Sequence, residues 1–220
     1  SFDFEREDRS KTRARQHDDR YVYEVFPERV LDGVLVSKGI VDGYGTSGGR
    51  YTVAQRQRLQ RLGAREFLRL PADIPIMGDC GAFTYVEEPA PPYSVDQVLD
   101  FYVECGFDQG ISVDHVILAF VPDGRDAEID AAVRERQALT LTLASEFLTK
   151  QRERRLPFTP FGVAQGWSPS SYASAVAELQ RMGYTSIALG GMVPLKTAEI
   201  FACLRAIADV RLPTTRLHLL

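Results

Sequence analysis

Short apolar runs alternate along the chain with longer stretches whose apolar residues recur at three- and four-residue intervals. The runs 33–36, 74–77, 110–113, 160–164, 186–189 and 216–220 are too short for helices and are bounded by Gly, Pro or Asp, a pattern that predicts strands. Residues 66–70 are a weaker strand candidate. Between the runs, 94–104 begins with Ser94 as N-cap and sets Val95, Val98, Leu99 and Tyr102 on one helical face. The stretch from 126 to about 154 carries Ile129, Val133, Leu143 and Phe147 at helical intervals. Residues 168–182 open with Ser168-Pro169 and stop at Gly183, a cap, a first-turn proline and a terminator. Leu195, Ile200, Leu204 and Ile207 mark a last helix over 194–208. Strand and helix in regular alternation predict right-handed βαβ units on a parallel sheet. Either a doubly wound sheet or an α/β (β/α)8 TIM barrel satisfies that pattern. No glycine-rich phosphate loop follows the first strand, which removes the commonest reason to choose the open sheet.

Residues 1–20 break the pattern: charges of both signs crowd a nearly apolar-free segment, read as a charged arm ahead of a globular region over 21–220. The arm is either a solvated segment or one that reaches a phosphate backbone. In the 220 residues, 26 Lys and Arg against 30 Asp and Glu give a net charge of −4, which argues against a protein that coats polyanions. No apolar run is long enough to span a membrane, and no secretory pattern opens the chain. Three scattered cysteines, Cys80, Cys105 and Cys203, fit a reducing cytoplasm and form no zinc signature. The chain opens on Ser1 and stops inside an apolar run, ends expected of a fragment. Six or seven strand-like runs are fewer than a closed barrel needs, so the expectation is a barrel incomplete at the C-terminus.

The chemistry gathers just after the runs. Gly78-Asp79-Cys80-Gly81-Ala82-Phe83, Asp114-His115, Gln165-Gly166-Trp167 and Gly190-Gly191-Met192 each follow a predicted strand. In a parallel barrel those ends share one face, where active sites are built. Two carboxylates, an amide and exposed backbone suit a flat polar heterocycle. Each residue also has a plain reading: Asp as a cap or turn residue, Gly190-Gly191 as a tight turn, Trp167 as a core aromatic, His115 as a structural histidine or a general base. No lysine closes a strand-like run, which disfavours an aldolase-type barrel.

The segment 78–83 resembles the Asp-Ser-Gly-Gly-Phe/Tyr motif of tRNA-guanine transglycosylases. Phe161-Gly162-Val163-Ala164-Gln165-Gly166 is similar to their Gly-Ile-Val-Gln-Gly strand, and Ala188-Leu189-Gly190-Gly191-Met192 to their Ala-Ile-Gly-Gly-Leu turn. Order and spacing agree from about Asp32 to Leu220. Within that superfamily, residues 77–83 and 112–115 look most like the DNA-modifying branch, which exchanges guanine in DNA for a 7-deazaguanine such as 7-cyano-7-deazaguanine (preQ0). The resemblance implies a base-exchange glycosyltransferase working through a covalent glycosyl-enzyme. Asp79 is its general acid/base, and Asp114, Gln165, Gly190 and Gly191 bind the base edge. Phe83 stacks on the heterocycle, Met192 forms an apolar wall, and Leu220 is a candidate for the opposite face. Cys80 for Ser, Ala82 for Gly, His115 for Glu-Cys and Trp167 for a second Gly depart from the tRNA pattern at the rim. The family's nucleophilic Asp follows a strand past Leu220 and its zinc site of three Cys and one His lies later still. No metal ligand or cofactor is therefore assigned in this segment, and a structural zinc belongs to any continuation.

Arg50, Arg56, Arg58, Arg61, Arg65 and Arg69 form a basic stretch, and Lys150, Arg152, Arg154 and Arg155 another. Each reads either as an exposed helix face or as a contact to phosphates, with Arg50, Arg56, Arg58 and Arg152 the candidates. The Gly- and Ser-rich stretch 44–51 reads as a mobile loop near the barrel mouth. The expected partners are DNA and a 7-deazaguanine base, with a homodimer or helper proteins left open. The competing readings are the same chemistry on tRNA, and a non-catalytic partner subunit that keeps the fold and pocket.

Overall fold

A computed structural model describes residues 20–26, 28–44 and 47–220; apart from Arg20, the charged arm lies outside the described residues. After a one-turn helix α1 (Val22–Val25) come strand β1 (Val34–Ser37), short helix α2 (Lys38–Asp42) and a hairpin, β2 (Gly43–Tyr44) with β3 (Ser47–Gly48). Helix α3 (Val53–Phe67), β4 (Ile76–Asp79), α4 (Val95–Glu104), β5 (Gln109–Ile111), α5 (Ala131–Glu153), β6 (Thr159–Ala164), α6 (Pro169–Met182), β7 (Ser186–Leu189), α7 (Thr197–Val210) and β8 (Arg216–Leu219) follow. All six long-sheet strands are parallel, in the order β1-β4-β5-β6-β7-β8, and the sheet curls as half of a (β/α) barrel.

Alternation along the strands builds two cores. Met77, Ile111, Phe161, Val163 and Ala188 face the concave interior, with Leu220 packed against them. Their strand neighbours face the helices. Around β1, β4 and β5 that outer core includes Leu59, Ile76, Leu99, Tyr102 and Phe147; around β6 and β7 it includes Val176, Leu179, Ile187 and Leu189. Tyr102 sits over two glycines, where a Cβ on Gly78 or Gly110 would come within 2.5 or 2.6 Å of its ring. The helices start where side chains can close their first turn. Ser94 and Gln97 cap α4 reciprocally, Ser168 caps α6, and Gly183 ends α6 with a left-handed residue.

Three expectations need correcting. Residues 66–70 are no strand: Glu66 and Phe67 finish α3, and Arg69 turns the chain at φ 55°. Apolar Phe67, Leu68 and Leu70 mimic strand alternation because that turn returns them to the outer core. The stretch 44–51 contributes to the β2–β3 hairpin, held by Gly49 N–H on the Asp42 carbonyl and Arg50 N–H on that of Ile40. Lys38 does directly follow a strand. Its ammonium is nevertheless buried against Asp42 at 2.5 Å and over the Tyr93 and Phe101 rings. Among the described residues no helix is long and apolar enough to cross a membrane.

Candidate active site

The carboxyl ends of the strands deliver the polar groups to one place. Asp79 closes β4, Asp114 lies three residues past β5, Gln165 follows β6 and Gly190 follows β7. With Phe83, His218 and Leu220 they line a cavity of about 400 Å³ at the mouth of the curled sheet.

Asp114 is buried and its two carboxylate oxygens have different partners. Oδ2 accepts from Gln165 Nε2 at 2.6 Å and Oδ1 from the Cys80 thiol at 3.1 Å. Gln165 has its orientation fixed from the other side, because its Oε1 accepts the Ile117 N–H at 3.1 Å. A backbone N–H needs an oxygen, so the nitrogen must face Asp114. The two glycines after β7 make this approach feasible. A Cβ on Gly190 would lie 2.2 Å from Gln165 Nε2, and one on Gly191, at φ 72°, would lie 2.4 Å from the Ile117 carbonyl. The Gly190 carbonyl accepts from Tyr172 at 2.8 Å and its N–H donates to Ala164. The further N–H expected of the Gly-Gly turn would therefore come from Gly191.

Burial, and then the neighbouring Asp114 charge, pushes the Asp79 carboxyl up to about 7, against the Ser37 hydroxyl and the Gly81 and Cys80 N–H groups that favour its ionised form. Burial also raises Asp114, offset by the Cys80 thiol, by Gln165 and by the adjacent His115. Near neutrality Asp79 can therefore hold or release a proton, while Asp114 has donors committed to its charged form. That division suits proton transfer by one carboxyl and edge recognition by the other.

The other candidates separate. Phe83 stands on a 3₁₀ turn (Ala82–Tyr85), 54% exposed and on the cavity wall. Met192 is instead buried in the outer core beside β7 and does not line the cavity. His115 is buried away from it too, with Nε2 2.7 Å from the Glu88 carbonyl. Trp167 donates through Nε1 to Asp126 at 2.7 Å and lies under Arg134, so it pins the loop after β5. Arg50 and Arg56 flank the same end of the sheet: Arg50 N–H bonds Ile40, a cavity residue, and Arg56 reaches the Asp42 carbonyl. Arg58 lies over Phe67. Arg152 lies elsewhere, in the last turn of α5, which leads into the start of β6, at the opposite end of the strands. It donates to the Gly183 carbonyl at 3.1 Å.

His218 and Tyr85 escaped the sequence reading. His218 looked like one more residue of an apolar strand. Its register opposite Ala188 turns it into the interior, edge-on to Phe161, and burial lowers its pKa from 6.5. Donor atoms of Asp79, Cys80 and Asp114 lie within 4.8 Å of one another, the right chemistry for a divalent ion, but Cys80 and Asp114 already engage each other. Cys80 follows β4, Cys105 caps the end of α4 and Cys203 lies within α7, each buried and outside any disulfide. They do not fit the three-Cys, one-His zinc site, and no step is assigned to a metal.

A curled parallel sheet with this cavity at its strand ends is the class of architecture that the transglycosylase motifs imply. No family model matches the chain. It is similar to a DNA-guanine transglycosylase from Salmonella montevideo, 49% identical over 222 aligned positions that cover all of this chain and 53% of that protein. The likeness to the guanine-transglycosylase superfamily, and within it to the DNA-modifying branch, therefore holds along the whole sequence. The chain spans about half the length of the curated relative it matches.

Proposed function

We propose that these residues form the base-binding part of a (β/α)8 barrel that replaces guanine in DNA with a 7-deazaguanine such as preQ0, in the cytoplasm. The observation that carries the proposal is the pairing of the Asp79 carboxyl, at about 7, with the adjoining Asp114–Gln165 pair. With Gln165 Oε1 committed to Ile117, its side chain has only N–H to offer a ligand. An ionised Asp114 offers only acceptors. Acceptor beside donor complements guanine, whose N1–H and exocyclic N–H groups adjoin a carbonyl; adenine presents the reverse. A 7-deazaguanine keeps the same edge, so one pocket serves the leaving and the arriving base.

In this mechanism a carboxylate nucleophile, which the family places on a later strand, attacks C1′ as the bond to N9 breaks. The electron pair leaves with guanine, and Asp79 gives the base its proton. The incoming deazaguanine returns its N9 proton to Asp79 and displaces the enzyme carboxylate from C1′. The target base must leave its stack, and Phe83, which lines the cavity, is the residue we assign to stack on its face. Arg50, Arg56 and Arg58 are the candidates for phosphate contacts.

The test is incubation of the full-length protein with labelled guanine or preQ0 and either duplex DNA or tRNA. Label should enter DNA. Label in tRNA alone overturns the DNA substrate, and undiminished exchange by Asp79→Ala overturns the role of Asp79.

A further inference from the structure

Behind the base-binding carboxylate lies a buried chain of hydrogen bonds that edge recognition does not itself use. Cys80 Sγ is 3.1 Å from Asp114 Oδ1, and the Tyr85 hydroxyl is 3.0 Å from that sulfur and 3.1 Å from the Asp114 carbonyl oxygen. Cys80 and Tyr85 are both fully buried. From this geometry we infer that Cys80, backed by Tyr85, is the positioning residue that sets the plane of the Asp114 carboxylate for the base. The inference rests on the base-exchange reading above.

Donor accounting fixes the direction of the chain. To accept N–H groups from a base, Asp114 must be ionised and cannot donate. The proton between Cys80 and Oδ1 must then be the thiol's. With its own hydrogen turned to Asp114, the sulfur faces Tyr85 as an acceptor, and the phenol O–H is shared between that sulfur and the Asp114 carbonyl. Burial and the nearby carboxylates raise the thiol well above its ordinary value, so it remains a donor rather than a thiolate. Tyr85 is raised likewise, with burial the largest cause.

The consequence is rotational. Gln165 holds Oδ2 from the β6 side and Cys80 holds Oδ1 from the β4 side, so the carboxylate is clamped between two strand ends. One lone pair on each oxygen is taken by the clamp, and the other is left for the base. Removing either clamp frees rotation about the bond to the carboxyl carbon and loosens ground-state binding.

The test compares Cys80→Ala, Cys80→Ser and Tyr85→Phe in the full-length protein. Cys80→Ala should raise KM for the free base about tenfold, with a smaller change in kcat, as expected when a donor to a charged group is lost from binding. Cys80→Ser should restore most of the affinity because its hydroxyl also donates, and Tyr85→Phe should fall between. A merely packing role predicts the reverse signature: lower melting temperature in Cys80→Ala with KM unchanged, and that result overturns the inference. Infrared spectroscopy reads the bond without turnover. The S–H stretching band absent from Cys80→Ser should shift in Asp114→Asn, and an unmoved band also overturns it. Should the wild type exchange no base, the functional reading falls by itself. Calorimetric binding of guanine to wild type and Cys80→Ala then decides the clamp, with equal affinities overturning it.

Discussion

Replacing Asp79 by Asn should make the protein more stable, and only above about pH 4. The folded carboxyl titrates at about 7 against an ordinary 3.8, so between those values the native state holds a proton that the unfolded chain has released. Stability contributed by that proton is present at low pH and is lost progressively as pH rises from 3.8 through 7. The full interval corresponds to ~4 kcal/mol. Asp79 is only partly buried, so solvent in the cavity screens the effect, and about 2 kcal/mol is the working figure. Asn keeps the side-chain carbonyl that accepts from the backbone but carries no charge to desolvate. Urea unfolding of wild type and Asp79→Asn at pH 4, 6 and 8 measures the difference, in which the titration of all other groups largely cancels. The advantage of Asp79→Asn should grow from pH 4 to pH 8, while base exchange falls by at least a hundredfold. A difference that is flat with pH, or that favours the wild type more at pH 8 than at pH 4, refutes the reasoning.

Other expectations follow from single contacts. Gly190→Ala places a Cβ 2.2 Å from Gln165 Nε2, so Gln165 must leave Asp114; exchange should fall about tenfold or more, read as kcat/KM. Gly110→Ala drives a Cβ into Tyr102 and Phe158 and should destabilise by about 1–3 kcal/mol in urea unfolding, with KM little changed. His218 has the opposite pH sign to Asp79: its lowered pKa makes the wild type lose stability as pH falls below 6.5, and His218→Gln should remove that loss in pH-dependent melting curves. If Arg56 and Arg58 meet phosphates, their Ala variants should each lower the slope of log K for DNA against log salt by about 0.9. Arg152→Ala, at the far end of the strands, should leave that slope unchanged.

The strand ends were legible because parallel βα units punctuate themselves with Gly, Pro and Asp, and all six runs fall on or beside observed strands. The register was not. Residues 74–77 read as a strand because Ile and Met are apolar, yet β4 runs to Asp79, whose carboxyl points inward like that of any other interior residue. Helix α3 was legible only as a basic stretch. It buries just Leu59 and Ala64, and Gly63 at φ 74° interrupts it, so no apolar stripe marks it. The clamp on Asp114 joins residues 34 and 51 positions apart, and no local spacing encodes such a contact. Met192 followed a motif faithfully, yet the turn after Gly191 sends its side chain into the outer core.

The half-barrel also governs the solution behaviour of this stretch of chain. Among the described residues β1 and β8 each pair on one side only, leaving two rows of backbone N–H and C=O groups available to any extended segment. Leu35 and Leu219 sit half exposed on those two strands, and an apolar recess of about 690 Å³ lies against β1. Neither Pro, bulge nor inward-pointing charge guards β1, where Val34, Leu35, Val36 and Ser37 succeed one another. Edges of this kind template strand addition. Residues 20–220 produced by themselves should therefore self-associate through their edges, with the associated fraction rising with concentration.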